Sequence, residues 1–283
     1  MMQSSRIILL FIFLLSAGIS VSAQQRIITA GSAITETVCA LGDCDKIVAS
    51  DRTSLYPAQI QQLPSIGYRA GINAEGILAL KPTLIIAEKD YVDDAVLQQL
   101  AGSKVKLIII DRKLNFDDTK KFITQIGQVL GKDAEAKKLI AKNEAELAEA
   151  KGWLKKATTS PKVLCVYNRG AATINMAGDE TFGEIVKYVG ATNAIKGVQG
   201  YKPLNTEALI AADPEYLVML SSGFESLGGL DGALKIQGVQ QTTAGKKKQV
   251  VAIDALKLTN FGPRFGETVK ELVQQLHPEL KAK

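Results

Sequence analysis

The sequence predicts an α/β protein of two similar lobes with mainly parallel sheets, joined by a long backbone helix. Three observations carry this expectation: short apolar β runs alternate with amphipathic helical runs, one segment is written twice, and a helix-forming stretch separates the copies. The repeated segment runs from Asn73-Ala-Glu-Gly-Ile to Ala87 and returns as Asn205-Thr-Glu-Ala-Leu to Met219, with Asn, Glu, Ala and Pro in register. Just upstream stand Gly67-Tyr68-Arg69 and Gly200-Tyr201-Lys202. The offset of 132 residues is far beyond the roughly 20 to 50 of stacked repeat units, so it is read as lobe duplication. Two lobes would bring related loops, and their tyrosines, to a common cleft.

Residues 1–23 read as an export signal, with Arg6, an apolar core from Ile7 to Leu15, and cleavage near Ala23 after Val21-Ser22. No cysteine follows that point directly, so lipid attachment is not expected, and no later run is long and apolar enough to span a bilayer. The first lobe is placed at 24–115, with strands expected at 26–30, 46–49, 83–87 and 106–110. Its first helix carries Cys39 and ends near Gly42, and Cys44 follows; in an oxidising compartment the two are either bridged or free.

The interlobe segment is placed at 116–160. Helix formers and an apolar stripe of Phe122, Ile126, Val129, Leu139, Ile140 and Leu147 run through it until Thr158-Thr-Ser-Pro161 stops the helix. As one helix of about 40 residues it would reach on the order of 60 Å, enough to back both lobes. A sharp turn at Gly131 would make it a helical hairpin instead. The second lobe is placed at 161–283, with strands expected at 162–167, 216–220 and 249–253; Cys165 falls inside the first of these as a core residue.

Several chemistries are excluded by what the chain lacks. A net charge of +5 and 6% aromatic content give nucleic acid little to bind, and Lys246-Lys-Lys248 reads as a solvated turn. The one histidine, His277, sits at a helix end, which leaves no basis for a Ser-His-Asp triad or an imidazole metal site. The glycine-rich run from Gly223 to Gly229 has neither phosphate-loop nor dinucleotide spacing. No enzyme is expected. What remains is tyrosines and cations at strand-to-helix loops, the edge where α/β lobes take ligands. The Tyr68 phenol beside Arg69 suits a ferric Lewis acid, because a neighbouring cation favours the phenolate. A loop tyrosine with a hydrogen-bonded hydroxyl is the alternative. Glu75 and Glu207, matched in the two copies, read either as helix-start acids or as docking points.

The motifs Asp51-Arg-Thr-Ser-Leu-Tyr-Pro57, Leu63-Pro-Ser-Ile-Gly-Tyr68, Ala74-Glu-Gly-Ile-Leu78, Ser226-Leu-Gly-Gly-Leu-Asp-Gly232 and Gly262-Pro-Arg264 resemble those of periplasmic haem-binding proteins that feed bacterial haem ABC importers. That resemblance implies two α/β lobes of the class III binding-protein type, joined by a long helix, with ferric haem b between them as transported cargo. It implies Tyr68 as axial ligand to haem iron, and Arg69, Tyr201, Arg169 and Arg264 as further haem-binding residues. It also implies Glu75 and Glu207 as docking points for an ABC transporter permease dimer with its ATPase, and a monomer working in the periplasm. Many relatives place the cation two residues after the tyrosine; here that position is Ala70. Some offer a histidine from the second lobe, and this chain has none near 196–201. A cobalamin or ferric-siderophore carrier shares the architecture, and a periplasmic tetrapyrrole-processing enzyme such as a chelatase is the reading from another class.

Overall fold

The computed structural model describes residues 25–168, 174–178 and 182–280. The first lobe is built from β1 (Ile27–Ala30), α1 (Ser32–Ala40), β2 (Ile47–Ser50), α2 (Ala74–Ala79), β3 (Leu84–Glu88), α3 (Asp94–Ala101) and β4 (Lys106–Ile110). Its strands form a wholly parallel sheet in the order β2-β1-β3-β4. Nearly continuous Ile, Leu and Val runs are what a sheet buried on both faces requires. Ile27, Leu84 and Ile86 pack on one face with Ile34 and Val38 of α1, while Ile28, Ile85 and Ala87 pack on the other with Ile77 and Leu100 of α2 and α3.

The interlobe segment is two helices, α4 (Phe116–Leu130) and α5 (Asp133–Leu154), separated at Gly131, whose φ of 69° lies in the left-handed region a helix-ending glycine favours. Lys120 of α4 reaches Glu144 of α5 at 3.5 Å, which fixes the pair as antiparallel. One helix of about 40 residues is therefore not formed. The longer of the two, α5, has 22 residues and is about 33 Å long. Ala136, Leu139 and Ile140 near its start pack into the first lobe, and Leu147, Ala150, Trp153 and Leu154 near its end pack into the second.

The second lobe contains β5 (Lys162–Asn168), β6 (Ile174–Ala177), α6 (Glu184–Tyr188), β7 (Thr192–Asn193), β8 (Tyr201–Pro203), α7 (Thr206–Ala212), β9 (Tyr216–Leu220), α8 (Ser221–Ser226), α9 (Leu230–Leu234), α10 (Thr243–Lys247), β10 (Val250–Ile253), α11 (Ala255–Asn260) and α12 (Phe265–Leu276). Its parallel pairings β7-β5, β5-β9 and β9-β10 repeat the β2-β1-β3-β4 order of the first lobe. The repeat extends to backbone detail. Asn73 and Asn205 each cap their helix through the side chain, to Gly76 N at 2.7 Å and to Glu207 N at 2.8 Å. Each helix then ends on a residue with left-handed φ before a proline, Lys81 at 50° and Asp213 at 40°.

The lobes differ near the central strand. The sequence matches Ala30-Gly31 to Ala177-Gly178, yet Ala30 ends a parallel central strand and Ala177 ends β6, which runs antiparallel to β5 and β8. The added β6 and β8 turn the second sheet into a mixed one. Lys246 and Lys247 close α10, and Lys248 makes the left-handed turn after it.

Candidate functional site

The carboxyl ends of the parallel strands in both lobes converge on a floor formed by the end of α11. Asn260 and Phe261 are gripped there from the first lobe. Ser32 Oγ donates to Asn260 Oδ1 at 2.8 Å, Arg112 donates to the carbonyls of Asn260 at 2.7 Å and Phe261 at 3.1 Å, and Thr119 Oγ1 donates to the Phe261 carbonyl at 2.8 Å. Phe261 is fully buried with φ of 45°, a conformation few non-glycine residues adopt. Arg112 is itself held by Glu88 at 2.7 Å.

Tyr68 stands on the first-lobe side, 39% exposed, after a tight turn at Gly67. Gly67 has φ of 103°, and a Cβ there would lie 2.9 Å from the Gly71 carbonyl oxygen, so the turn needs glycine. Arg69 Nε donates to the Tyr68 hydroxyl at 3.3 Å. The guanidinium lies 5.7 Å from the Tyr68 ring centre and 5.5 Å from that of Tyr91, and the two rings meet edge to face at 6.3 Å. Tyr91 donates a short hydrogen bond to Asp51 Oδ2. Burial raises the Tyr91 phenol well above its ordinary range, and the bond to Asp51 adds to the effect. Leu55 and Tyr56, in the loop that follows Asp51, are 52% and 45% exposed.

On the second-lobe side, Tyr201 begins β8 beside Ala177 and packs against Tyr167 at 4.8 Å. A hollow lined by Tyr167, Tyr201, Phe182, Leu220 and Leu258 adjoins the floor. Tyr201 keeps 42% of its surface exposed, yet the partial burial of its phenol, with Cys165 and Tyr167 nearby, pushes it up to about 12. The two tyrosines of the repeat thus stand in different chemistry: Tyr68 has a guanidinium at its hydroxyl, and Tyr201 lies on an inserted strand against another ring.

The sequence matches the periplasmic binding protein family model over residues 27–256, in keeping with two lobes, one with a parallel and one with a mixed sheet, around a cleft. The chain is a periplasmic binding protein. Among solved structures, it is similar to the periplasmic haem-binding protein RhuT from Roseiflexus sp. RS-1 in apo form, at 35% identity and a TM-score of 0.85, over 91% of this chain and 99% of that one. It is similar to the periplasmic haem-binding protein BhuT in complex with two haems, at 32% identity and a TM-score of 0.84, over 90% and 99%. Among curated relatives, the chain is similar to the vitamin B12-binding protein of Photorhabdus laumondii, at 25% identity over 259 residues, covering 90% of this chain and 89% of the relative.

Within this binding protein the residues singled out from sequence are spread over several places. Tyr68 and Arg69 are together at the cleft rim, and Tyr201 is at the second-lobe hollow. Glu75 and Glu207 are exposed in the first turns of α2 and α7, and among the described residues neither makes an ion pair or a side-chain hydrogen bond. Capping belongs to Asn73 and Asn205. Cys39 and Cys44 are joined as a disulfide, and Cys165 is buried and free. Arg264 pairs with Glu36 across the lobes and lies 3.9 Å from the Tyr56 ring centre, so the carboxylate it meets belongs to the protein. Arg169 lies outside the described residues. Sequence reading passed over Asp51, Tyr91 and Arg112. Tyr91 and Arg112 lie in the loops after β3 and β4, so the strand-to-helix loop rule that selected Tyr68 would have found them; Asp51 lay inside a quoted motif with no role assigned.

Proposed function

We propose that the protein is an exported carrier that takes ferric haem into the interlobe cleft and delivers it, without covalent chemistry, to an ABC importer of the inner membrane. The observation that carries this reading is the exposed Tyr68 phenol with the Arg69 guanidinium at 3.3 Å. A tyrosinate is a haem axial ligand, and a cation beside it favours the anion that ferric iron prefers. Exposed Leu55 and Tyr56 give a porphyrin face apolar contact, and Tyr201 would meet the ligand from the other lobe as a neutral phenol. Arg69, and Arg169 after β5, are the cations proposed for the propionates. Glu75 and Glu207 are proposed to dock on the permease, one per lobe, as a two-fold partner requires. Solved structures at 32% and 35% identity that are named for haem favour this ligand.

A corrinoid is the second reading, favoured by the vitamin B12-binding relative. Titration of the mature protein with ferric haem and with cyanocobalamin, followed by visible spectra, separates them. A saturable tyrosinate-type haem spectrum that disappears in Tyr68→Ala is expected. Saturation by cyanocobalamin with no haem spectrum would overturn the haem reading. An unchanged spectrum in Tyr68→Ala would overturn the ligand assignment alone. Release of metal-free or ring-opened porphyrin would point to an enzyme.

A further inference from the structure

We propose that Tyr91, tethered by Asp51, is a positioning residue that holds the Arg69 guanidinium against the Tyr68 hydroxyl. The part of this that concerns iron rests on the reading of Tyr68 as haem ligand; the placement of Arg69 does not.

Neighbouring residues in extended chain send their side chains to opposite sides, so a cation directly after the ligand tyrosine has no natural route back to the phenol. Tyr68 is extended, with φ of −140°, and the alternation is broken at the next residue, where Arg69 has φ of 45°. A non-glycine residue in that region needs something to hold it. Among the described residues no carboxylate lies within ion-pair distance of Arg69. Its support is aromatic: the guanidinium sits within cation–π reach of both rings, 5.7 Å from Tyr68 and 5.5 Å from Tyr91.

Tyr91 is in turn fixed from behind. Its hydroxyl contacts Asp51 Oδ2 and lies 3.0 Å from Thr53 Oγ1. Asp51 is buried and accepts from Gly31 N at 2.9 Å, Thr53 N at 2.7 Å and Ser54 Oγ at 2.7 Å. A continuous path therefore leads from the β1–α1 turn through Asp51 and the Tyr91 ring to the guanidinium. The cation is in place before any ligand arrives, so no ordering of a long side chain is needed at binding.

The test has a ligand-free arm and a haem arm. In the ligand-free protein, the Arg69 Nε–H resonance is expected to be shifted by the two rings. Tyr91→Ala should abolish most of that shift, and Tyr91→Phe, which keeps the ring but loses the tether, should give an intermediate one. If Tyr91→Ala fails to fold, Tyr91→Phe decides. A wild-type resonance position in the soluble variant overturns the proposal. With ferric haem, the iron–phenolate stretching band and the haem dissociation rate should change in Tyr91→Ala by the same amount as in Arg69→Ala, with no further change in the double variant. A full additional effect of Tyr91→Ala in the Arg69→Ala background would also overturn it, because Tyr91 would then act by another route. Absence of an iron–phenolate band in wild type would sink the haem reading, while the ligand-free arm still decides the placement of Arg69.

Discussion

Glu36 on α1 and Arg264 at the head of α12 form an ion pair across the two lobes with their side chains 3% and 13% exposed. A second Arg264 nitrogen reaches Glu36 Oε2 at 3.2 Å, Asn260 Nδ2 donates to the same oxygen at 3.2 Å, and the Tyr56 ring covers the guanidinium. Removing Glu36 leaves the guanidinium, 13% exposed, with the longer contact to Asp254 at 3.7 Å as its remaining ion pair. Glu36→Ala should therefore lower stability by about 3–5 kcal/mol, read as a fall in the calorimetric midpoint. Glu36→Leu combined with Arg264→Met should recover most of the loss, since an apolar pair carries no desolvation penalty. A wild-type midpoint in Glu36→Ala would mean that the lobes do not depend on this pair.

Asn143 makes the matching connection on the spine. It is fully buried in the middle of α5, where its Nδ2 donates to the Leu139 and Pro263 carbonyls, both at 2.9 Å, and its Oδ1 accepts from Gly266 N at 2.8 Å. Asn143→Leu removes these bonds and leaves the Gly266 N–H at the start of α12 without its acceptor. A loss of about 1–3 kcal/mol per stranded group is expected in denaturant unfolding. An unchanged midpoint would show that α12 docks on α5 by apolar packing alone.

Asn143 also marks where sequence reading stops. The central strands and the repeated capping asparagines were legible because each is a local pattern: apolar runs for buried parallel strands, and Asn two or three residues ahead of the amide it caps. The hairpin at Gly131 stayed open because glycine permits a break without requiring one. β6 and β8 were missed because Ile174–Ala177 and Tyr201–Pro203 are short and owe their state to each other, through the pairing of Met176 with Lys202. Tyr68 was legible as a residue of a strand-to-helix loop. Glu36 was not, since nothing near an acid inside α1 announces a partner 228 residues away.

The second-lobe phenol gives a test in alkaline solution. Burial first, and then the nearby Cys165 and Tyr167, raise Tyr201 from 10.0 to about 12. Below pH 10 both folded and unfolded chains keep the proton, and this group adds no pH dependence. Between about 10 and 12 the unfolded chain releases it and the folded chain holds it, so stability falls as pH rises. Tyr201→Phe should show a shallower loss of stability across that window than wild type and no difference below it. Equal slopes in the two proteins would mean that Tyr201 ionises as an ordinary exposed phenol.

Glu75 and Glu207 allow docking to be separated from folding. Each lies in a helix first turn whose cap is already supplied by asparagine, and each is exposed. An acid in that position contributes about 0.3–1 kcal/mol through the helix dipole, so Glu75→Gln and Glu207→Gln should barely move the unfolding midpoint. Charge on a docking surface acts chiefly on association. Stimulation of the transporter ATPase should fall for either variant, fall further for the double variant, and be weakened by salt in wild type. Haem titration should be unchanged throughout. A loss of haem binding with intact ATPase stimulation would place these carboxylates at the cleft and end the docking assignment.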